Sequence, residues 1–191
     1  MRIVGTDVGE VERALRGGLL SCPGCGGRLG LWGWARRRVV RGVGAVVEVR
    51  RPRRSRCVGC GATHVLIAAD LLVRRRDVVV VIGAALLARA LGLSCRRVAA
   101  GIVGVTVCTV RGWLRRFAVN AERVRVLFTV LAHDLDRLLA PIEPTGTVVG
   151  DAVEAIAVAA RAVAARLAAV EPWQFASAVS GGRLLSNTGC L

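Results

Sequence analysis

The stretches Cys22–Gly26 (CPGCG) and Cys57–Gly61 (CVGCG) decide how the N-terminal part of this 191-residue chain folds. Each has the spacing C-x-x-C-G, and two such half-sites in one segment are the usual arrangement of a four-thiolate zinc site. The glycine after each pair tolerates the positive φ that lets backbone amides face the sulfurs. The alternatives are four unligated thiols in a core or a thioredoxin-like centre, which would need a single C-x-x-C in a βαβ pattern. The predicted ligands of one structural Zn²⁺ are Cys22, Cys25, Cys57 and Cys60.

The segment between the half-sites is unusually long. It spans 31 residues, compared with about 15–20 in compact zinc sites, and ten Arg lie between residues 28 and 56. The valines at 39, 40, 46, 47 and 49 favour β-structure, and Gly42–Gly44 suits a hairpin turn between them. His64–Ala68 is predicted to close the sheet as a further strand. Residues 21–70 are therefore interpreted as a zinc ribbon with a basic hairpin in its middle.

Three side chains of this segment have two interpretations each. Trp32 and Trp34 can stack on unpaired bases, but in a ribbon with few aromatic residues they more often fill a small core. His64 follows Cys60 by four residues and would be a ligand only if one cysteine were not.

Positive charge is concentrated in one block of the chain. The net charge is +15, and residues 28–117 alone carry 19 Arg and three acids, a net charge of +16. Such a block usually binds phosphate, on nucleic acid or on an anionic membrane surface. No apolar run is long enough to span a bilayer, and the N-terminus shows no secretory signal. A cytoplasmic, nucleoid-associated protein without a membrane partner is therefore predicted, in which reduced thiols bind metal.

Residues 77–117 show helical patterning with clear boundary signals. Asp77 is predicted to cap an apolar helix from Val78 to about Leu91, which Gly92 terminates. Ser94 is predicted to cap a short second helix. After a turn at Gly104-Val105, Thr106 is predicted to cap a third helix that ends at Phe117.

The third helix combines an apolar stripe with a basic face. Val110, Trp113, Leu114 and Phe117 recur at helical spacing, and Arg111 and Arg115 lie on another face. The helix-turn-helix pattern consists of a helix, a short helix with a small Ala, a tight turn and a third helix of this kind. The alternative is a plain three-helix bundle.

Four motifs resemble those of an uncharacterised family of high-GC bacteria: CPGCGG at 22–27, CVGCGATHVL at 57–66, TVRGWLRRF at 109–117 and AVSGGRLLSN at 178–187. Its members carry a zinc ribbon followed by a transposase-like helix-turn-helix, and the pair is similar to the end-binding part of insertion-sequence transposases. The resemblance implies DNA recognition linked to mobile elements. Ala99–Val105 is one residue longer than the corresponding turn usually is, so the turn is longer or the second helix is shifted.

The C-terminal part is interpreted as a helical hairpin. One helix with a leucine-rich stripe covers 121–140 and ends before Pro141 and Pro144, and a second covers about Val148–Val170. This hairpin is expected to pack on the rest of the chain, with homodimerisation as the alternative, and 171–191 is expected to be a loosely ordered tail. The predicted divisions are 1–20, the ribbon 21–70, the helix-turn-helix 71–118, the hairpin 119–170 and the tail 171–191.

Together these patterns predict an α+β protein that binds double-stranded DNA and is not an enzyme. The acids after Phe117 lie on predicted helices without a strand framework, which disfavours a metal-dependent nuclease. An adaptor that binds RNA or a protein stays open, and a transposase or integrase is a candidate partner. The predicted DNA contacts are Arg36, Arg37, Arg38, Arg53, Arg54, Arg96, Arg97, Thr109, Arg111, Arg115 and Arg116.

Overall fold

The computed structural model describes residues 1–167 and 169–186, and over this range the chain is a mixed α+β protein. It contains six α-helices, a four-stranded sheet and a separate two-stranded sheet within these residues. The predicted fold class is therefore confirmed at this level. None of the helices in the described part of the chain is long and apolar enough to cross a membrane.

The six strands are β1 (Arg2–Val4), β2 (Leu29–Trp34), β3 (Arg38–Arg41), β4 (Val47–Arg50), β5 (Arg53–Cys57) and β6 (Thr63–Ala68). The larger sheet has the order β1-β6-β5-β2, in which only the β1–β6 pair is parallel. The predicted closing strand at His64–Ala68 is confirmed as β6. Strand β1 was not predicted, because three residues carry too short a pattern and their partner strand lies far away in the sequence.

Strands β3 and β4 form the predicted hairpin. Arg38 pairs with Arg50, and Val39 pairs with Val49. The connection contains a single 3₁₀ turn at Val43–Ala45, in which Gly44 has a φ of 66° that favours glycine.

The six helices are α1 (Val8–Arg16), α2 (Val79–Ala90), α3 (Cys95–Ala100), α4 (Val107–Leu135), α5 (Val148–Arg166) and α6 (Pro172–Val179). The predicted boundary signals of α3 and α4 are confirmed. The Ser94 side chain accepts a hydrogen bond from the Arg97 amide at 3.4 Å, and Thr106 accepts one from the Thr109 amide at 3.2 Å. These caps satisfy amide groups that have no partner within the helix itself.

Helix α4 is longer than predicted. The prediction that the third helix ends at Phe117 is wrong, because α4 is continuous to Leu135. Asn120 interrupts the apolar pattern in the sequence but is only 2% exposed. Its Nδ2 donates to the carbonyl oxygens of Leu184 and Ser186, at 3.3 and 2.7 Å. The buried amide is therefore satisfied from outside the helix, and the backbone continues through it.

The start of α2 also differs from the prediction. Val78 is the N-cap residue and makes no side-chain capping bond, so the predicted cap at Asp77 is wrong. Asp77 is instead buried and forms an ion pair with Arg41, whose guanidinium nitrogens lie 2.6 and 2.7 Å from Oδ1. A buried carboxylate is stabilised more by a guanidinium than by exposed backbone amides.

The expectation of a loosely ordered tail is wrong for 171–186, where Glu171 caps helix α6, while 187–191 lie outside the described residues. Helix α6 packs on α2 and α5, and Trp173 lies against Gly83 of α2 so closely that an added Cβ there would overlap with the indole ring. Ser177 Oγ donates to the Leu71 carbonyl at 2.8 Å. The apolar residues of this short segment did not predict a packed helix, because part of the surface that they cover is formed by α2, which is distant in the sequence. Helix α5 ends at Arg166 rather than near Val170.

The apolar residues form two clusters of very different size. The larger cluster contains residues from Val40 to Leu185 and unites α2, α3, α4, α5 and α6. The smaller one consists of Leu15, Leu29 and Leu66 together with two of the cysteines. The cysteine-bearing sheet therefore has little apolar core of its own.

Candidate metal centre and nucleic-acid interface

The four cysteines of the two C-x-x-C-G stretches lie together in the structure. All the sulfur atoms of Cys22, Cys25, Cys57 and Cys60 are within 4.8 Å of one another. The Cys22–Cys60 and Cys25–Cys57 sulfurs are 3.8 and 3.4 Å apart. Four thiolates bound tetrahedrally to one zinc ion at about 2.3 Å would be about 3.8 Å apart. The cluster is thus compatible with a structural metal such as zinc.

Two turns of the same geometry present these sulfurs. The Cys22 amide donates to the Gly27 carbonyl at 2.7 Å, and the Cys57 amide donates to the Ala62 carbonyl at 2.8 Å. The glycine after each pair has a positive φ, 72° at Gly26 and 71° at Gly61. The sequence-based expectation for these two glycines is therefore confirmed, because other residues rarely adopt this conformation.

Gly27 is a further part of the site, which the sequence did not single out. A Cβ at this position would lie 3.1 Å from the Cys57 sulfur and 3.3 Å from the Cys25 sulfur. A side chain here would require these sulfurs to shift by a few tenths of an ångström.

The thiols differ in their affinity for protons. The backbone amide of Cys60 lowers the pKa of the Cys57 thiol to about 6. The amide of Gly27 lowers the pKa of Cys25, but the neighbouring sulfurs of Cys57 and Cys60 outweigh it and raise that pKa to about 12. Without a cation the cluster therefore keeps part of its protons. A divalent metal at its centre would favour the fully deprotonated form.

His64 contacts the cluster from β6. It is buried, and its Nε2 lies 3.3 Å from the Cys22 sulfur, while its Nδ1 has no partner among the described residues. The four cysteines already supply a complete tetrahedral set, so His64 is placed to bond a ligand sulfur. Outer-shell bonds of this kind orient the ligands of a metal.

Two of the predicted DNA-contacting arginines are engaged within the protein. Arg38 donates through a terminal guanidinium nitrogen to the Arg75 carbonyl. Arg53 forms an ion pair with Glu12 at 3.1 Å and stacks on a tryptophan ring 4.5 Å away. Both guanidinium groups contribute to the fold, which makes them weak candidates for contacts with phosphate.

Three other predicted contacts are also less accessible than expected. Arg54 is half-buried, and the Thr109 hydroxyl lies 3.0 Å from that of Thr106. Arg116 donates to the Gly112 carbonyl one turn earlier on α4, at 3.0 Å.

The remaining predicted contacts are exposed and make no side-chain hydrogen bond or ion pair with any described residue. They lie before β3, on α3 and on the first turns of α4. These residues are Arg36, Arg37, Arg96, Arg97, Arg111 and Arg115.

Arg41 links the hairpin to the helices, a role that no sequence motif indicated. Besides its ion pair with Asp77, Arg41 donates to the Gly104 carbonyl at 2.5 Å. Its backbone amide donates to the Arg76 carbonyl at 2.7 Å. The base of the hairpin is thereby fixed against the turn between α3 and α4.

The tryptophans of β2 are not core residues, so the commoner of the two interpretations is wrong for both. Trp32 is 51% exposed and Trp34 is 44% exposed. Each ring carries a stacked guanidinium, from Arg56 at 4.7 Å and from Arg53 at 4.5 Å. The small apolar cluster beneath the sheet is filled by leucines instead.

Comparisons of the chain with protein-family models, with curated proteins and with solved structures gave no match.

Proposed function

We propose that this protein binds double-stranded DNA in a sequence-specific manner and that one structural Zn²⁺ stabilises its N-terminal part. The observation that carries the proposal is the position of Arg111 and Arg115. Both are exposed one turn apart on the first half of α4, on the side away from the buried Val110, Trp113 and Phe117. Arginines in this arrangement can reach base edges in the major groove, and one bidentate contact with guanine contributes about 1–3 kcal/mol of discrimination.

The helices before α4 support a helix-turn-helix interpretation. Helix α3 is only six residues long and buries Ala99, and a turn in which Gly104 has a φ of 74° leads into α4. A short helix, a compact turn and a projecting third helix suit insertion of the third helix into the major groove. The N-terminal half of α4 would then be the part that reads the sequence.

The basic hairpin is in a suitable place to supply phosphate contacts. The Arg41 bond to the Gly104 carbonyl holds the hairpin beside the turn that precedes α4. Arg36 and Arg37, in the segment that leads into this hairpin, are exposed. Contacts of this kind position a protein on DNA without reading its sequence.

The proposed zinc has a structural task. The sheet that bears the cysteines is backed by a small cluster of three buried leucines and two of the cysteines, with Val4, Val11 and Leu20 partly buried against it. A core of this size does not stabilise a fold, and metal binding can supply the missing free energy.

The carboxylates after Phe117 favour a binding protein over a nuclease. Glu122 pairs with Arg125 at 2.6 Å, and Glu154 pairs with Arg161 at 3.0 Å. Among the described residues, the four cysteines are the one group of three or more side chains close enough to share a metal. A two-metal strand-transfer site would need several converging carboxylates. The cysteine motifs and 109–117 resemble the end-binding segments of transposases. We therefore extend the proposal to the DNA of mobile elements.

The test begins with selection of a preferred duplex from a random library at about 150 mM salt, since low salt lets any cation bind any phosphate. Arg111→Ala is then expected to weaken binding to the selected duplex by about 5- to 150-fold and binding to random duplex much less. Arg123, exposed about three turns further along α4, provides the matched control.

Arg123→Ala is expected to bind both duplexes as the unmodified protein does. Equal losses on both duplexes for Arg111→Ala would make Arg111 a phosphate contact only. Failure to select any duplex, with preferential binding of structured RNA, would replace this proposal by the RNA-binding adaptor.

A further inference from the structure

Trp32 occupies an irregular position in β2. Leu31 pairs with Ser55 and Gly33 pairs with Arg54, so the register shifts between these pairs and Trp32 has no partner residue on β5. An extra residue of this kind is a β-bulge, and bulges often re-aim a side chain near a functional site. Here the bulge leaves a large aromatic side chain on the surface, half of it exposed.

The position of Arg56 beside this ring is fixed by a second bond. Its Cζ lies 4.7 Å from the Trp32 ring centroid, and its Nε donates to the Gly61 carbonyl at 3.2 Å. The guanidinium is therefore oriented before any ligand arrives. A pre-positioned aromatic ring and a cation together form the elements of a stacking platform.

A cleft opens at this ring. It has a volume of about 310 Å³ and is lined by Gly30, Leu31, Trp32, Arg56, Cys57, Val58 and Gly61. Two of these residues, Gly30 and Gly61, contribute no side chain to the wall of the cleft. The cleft is at the lower end of the size of ligand sites, which suits one flat group rather than a helix or a duplex.

The geometry points to an acceptor site for an unpaired nucleobase of a single-stranded nucleic acid, stacked on Trp32 beside Arg56. Every base has an apolar π-face that can stack on an indole ring, and the flanking phosphates match the positive charge of the cleft. Among the residues that line the cleft, Arg56 carries this positive charge. A partner for this surface should therefore be anionic as well as flat. The site is separate from the duplex contacts proposed for α4.

A cation–π pair that merely stabilises the surface is the alternative, and Trp34 serves as its matched control. Trp34 lies on the same strand with a similar exposed fraction, but the guanidinium of Arg53 on its ring is held by Glu12. Arg51 also lies over this ring, at 6.0 Å. Two guanidinium groups therefore lie over the Trp34 ring, whereas among the described residues Trp32 has only that of Arg56.

The experiment measures quenching of tryptophan fluorescence as the zinc-loaded protein is titrated with oligo(dT) or oligo(rU) of about 12 nucleotides at ~150 mM salt. Trp113 and Trp173 are buried, so quenching reports on the β2 tryptophans. Trp32→Ala is expected to weaken binding of the single strand by about 5- to 100-fold, and Trp32→Phe is expected to restore part of the affinity. The oligo(dT) and oligo(rU) arms determine whether the acceptor prefers DNA or RNA.

The controls separate this site from the proposed duplex site. Trp32→Ala is expected to keep its zinc and its affinity for the selected duplex, while Arg111→Ala is expected to keep its affinity for the single strand. Unchanged single-strand binding by Trp32→Ala would refute the acceptor site, and so would an equal loss in Trp34→Ala. A loss of zinc in Trp32→Ala would show instead that the ring serves the fold.

Discussion

The contact between α2 and α6 leads to a prediction in which one substitution changes the sign of its effect. Gly83→Ala alone should stabilise a helix by about 0.5–1 kcal/mol, because alanine loses less backbone entropy than glycine. In this protein the added Cβ overlaps with the Trp173 ring. Overpacking typically costs about 1–3 kcal/mol, and a rigid indole places this case at the upper end. The net expectation is a loss of about 2 kcal/mol.

Removal of the indole should reverse this effect. Trp173 is buried, so Trp173→Ala alone is expected to cost about 3–5 kcal/mol. In that background Gly83→Ala has room for its methyl group and is expected to stabilise by about 1 kcal/mol. The two substitutions are therefore coupled by about 3 kcal/mol, well above the usual deviation from additivity for separate sites.

The assay is urea unfolding followed by far-UV circular dichroism, with all variants saturated with zinc. Ala84→Gly provides the control, because Ala84 is exposed on the same turn of α2. Its cost of about 0.5–1 kcal/mol should be the same with and without Trp173. If Gly83→Ala stabilises the otherwise unmodified protein, α6 does not pack on α2 as described, and the segment after 171 is loosely ordered after all.

Two further predictions concern the metal and the buried ion pair. Metal analysis is expected to find one zinc per chain. Chelation is expected to unfold the sheet of β2, β5 and β6, while the helices around the larger core keep their circular-dichroism signal. A folded, metal-free sheet would contradict the zinc proposal. Asp77→Ala is expected to lower the free energy of unfolding in urea by about 2–4 kcal/mol, because it leaves Arg41 without its carboxylate. The double variant Arg41→Met/Asp77→Leu is expected to lose less. Equal losses in the two variants would mean that the pair acts through packing alone.

The features that could be predicted from the sequence depend on neighbouring residues. The caps at Ser94 and Thr106 and the positive φ of Gly26 and Gly61 follow from local chemistry, since each involves partners within a few positions. The approach of the four cysteines was predictable for another reason, because the ligand spacing itself encodes the cluster.

The features that could not be predicted depend on distant residues. Asn120 is a polar residue at a buried position of α4, and only the fold brings to it the Leu184 and Ser186 carbonyls that accept from its amide. In the sequence Arg41 is one of many basic residues, and only the fold brings Asp77 and the Gly104 carbonyl to it. Neither sequence pattern nor charge carries this information.

The exposure of the tryptophans was not predicted, although a glycine inside a strand, here Gly33, can mark a bulge. Regular alternation along β2 would have given Trp32 and Trp34 the same orientation on one face of the sheet. The register shift at Trp32 gives each ring a different set of neighbours.

The continuity of α4 constrains the length of the chain around residue 118. Each residue inserted into a helix rotates everything after it by about 100°. One extra residue between Phe117 and Ala121 would thus turn Val124 and Phe128 away from the core that they now fill. By contrast, 137–146 connects α4 to α5 without helix and can absorb a change in length. Insertions and deletions in homologous chains should therefore collect in that loop and avoid the middle of α4.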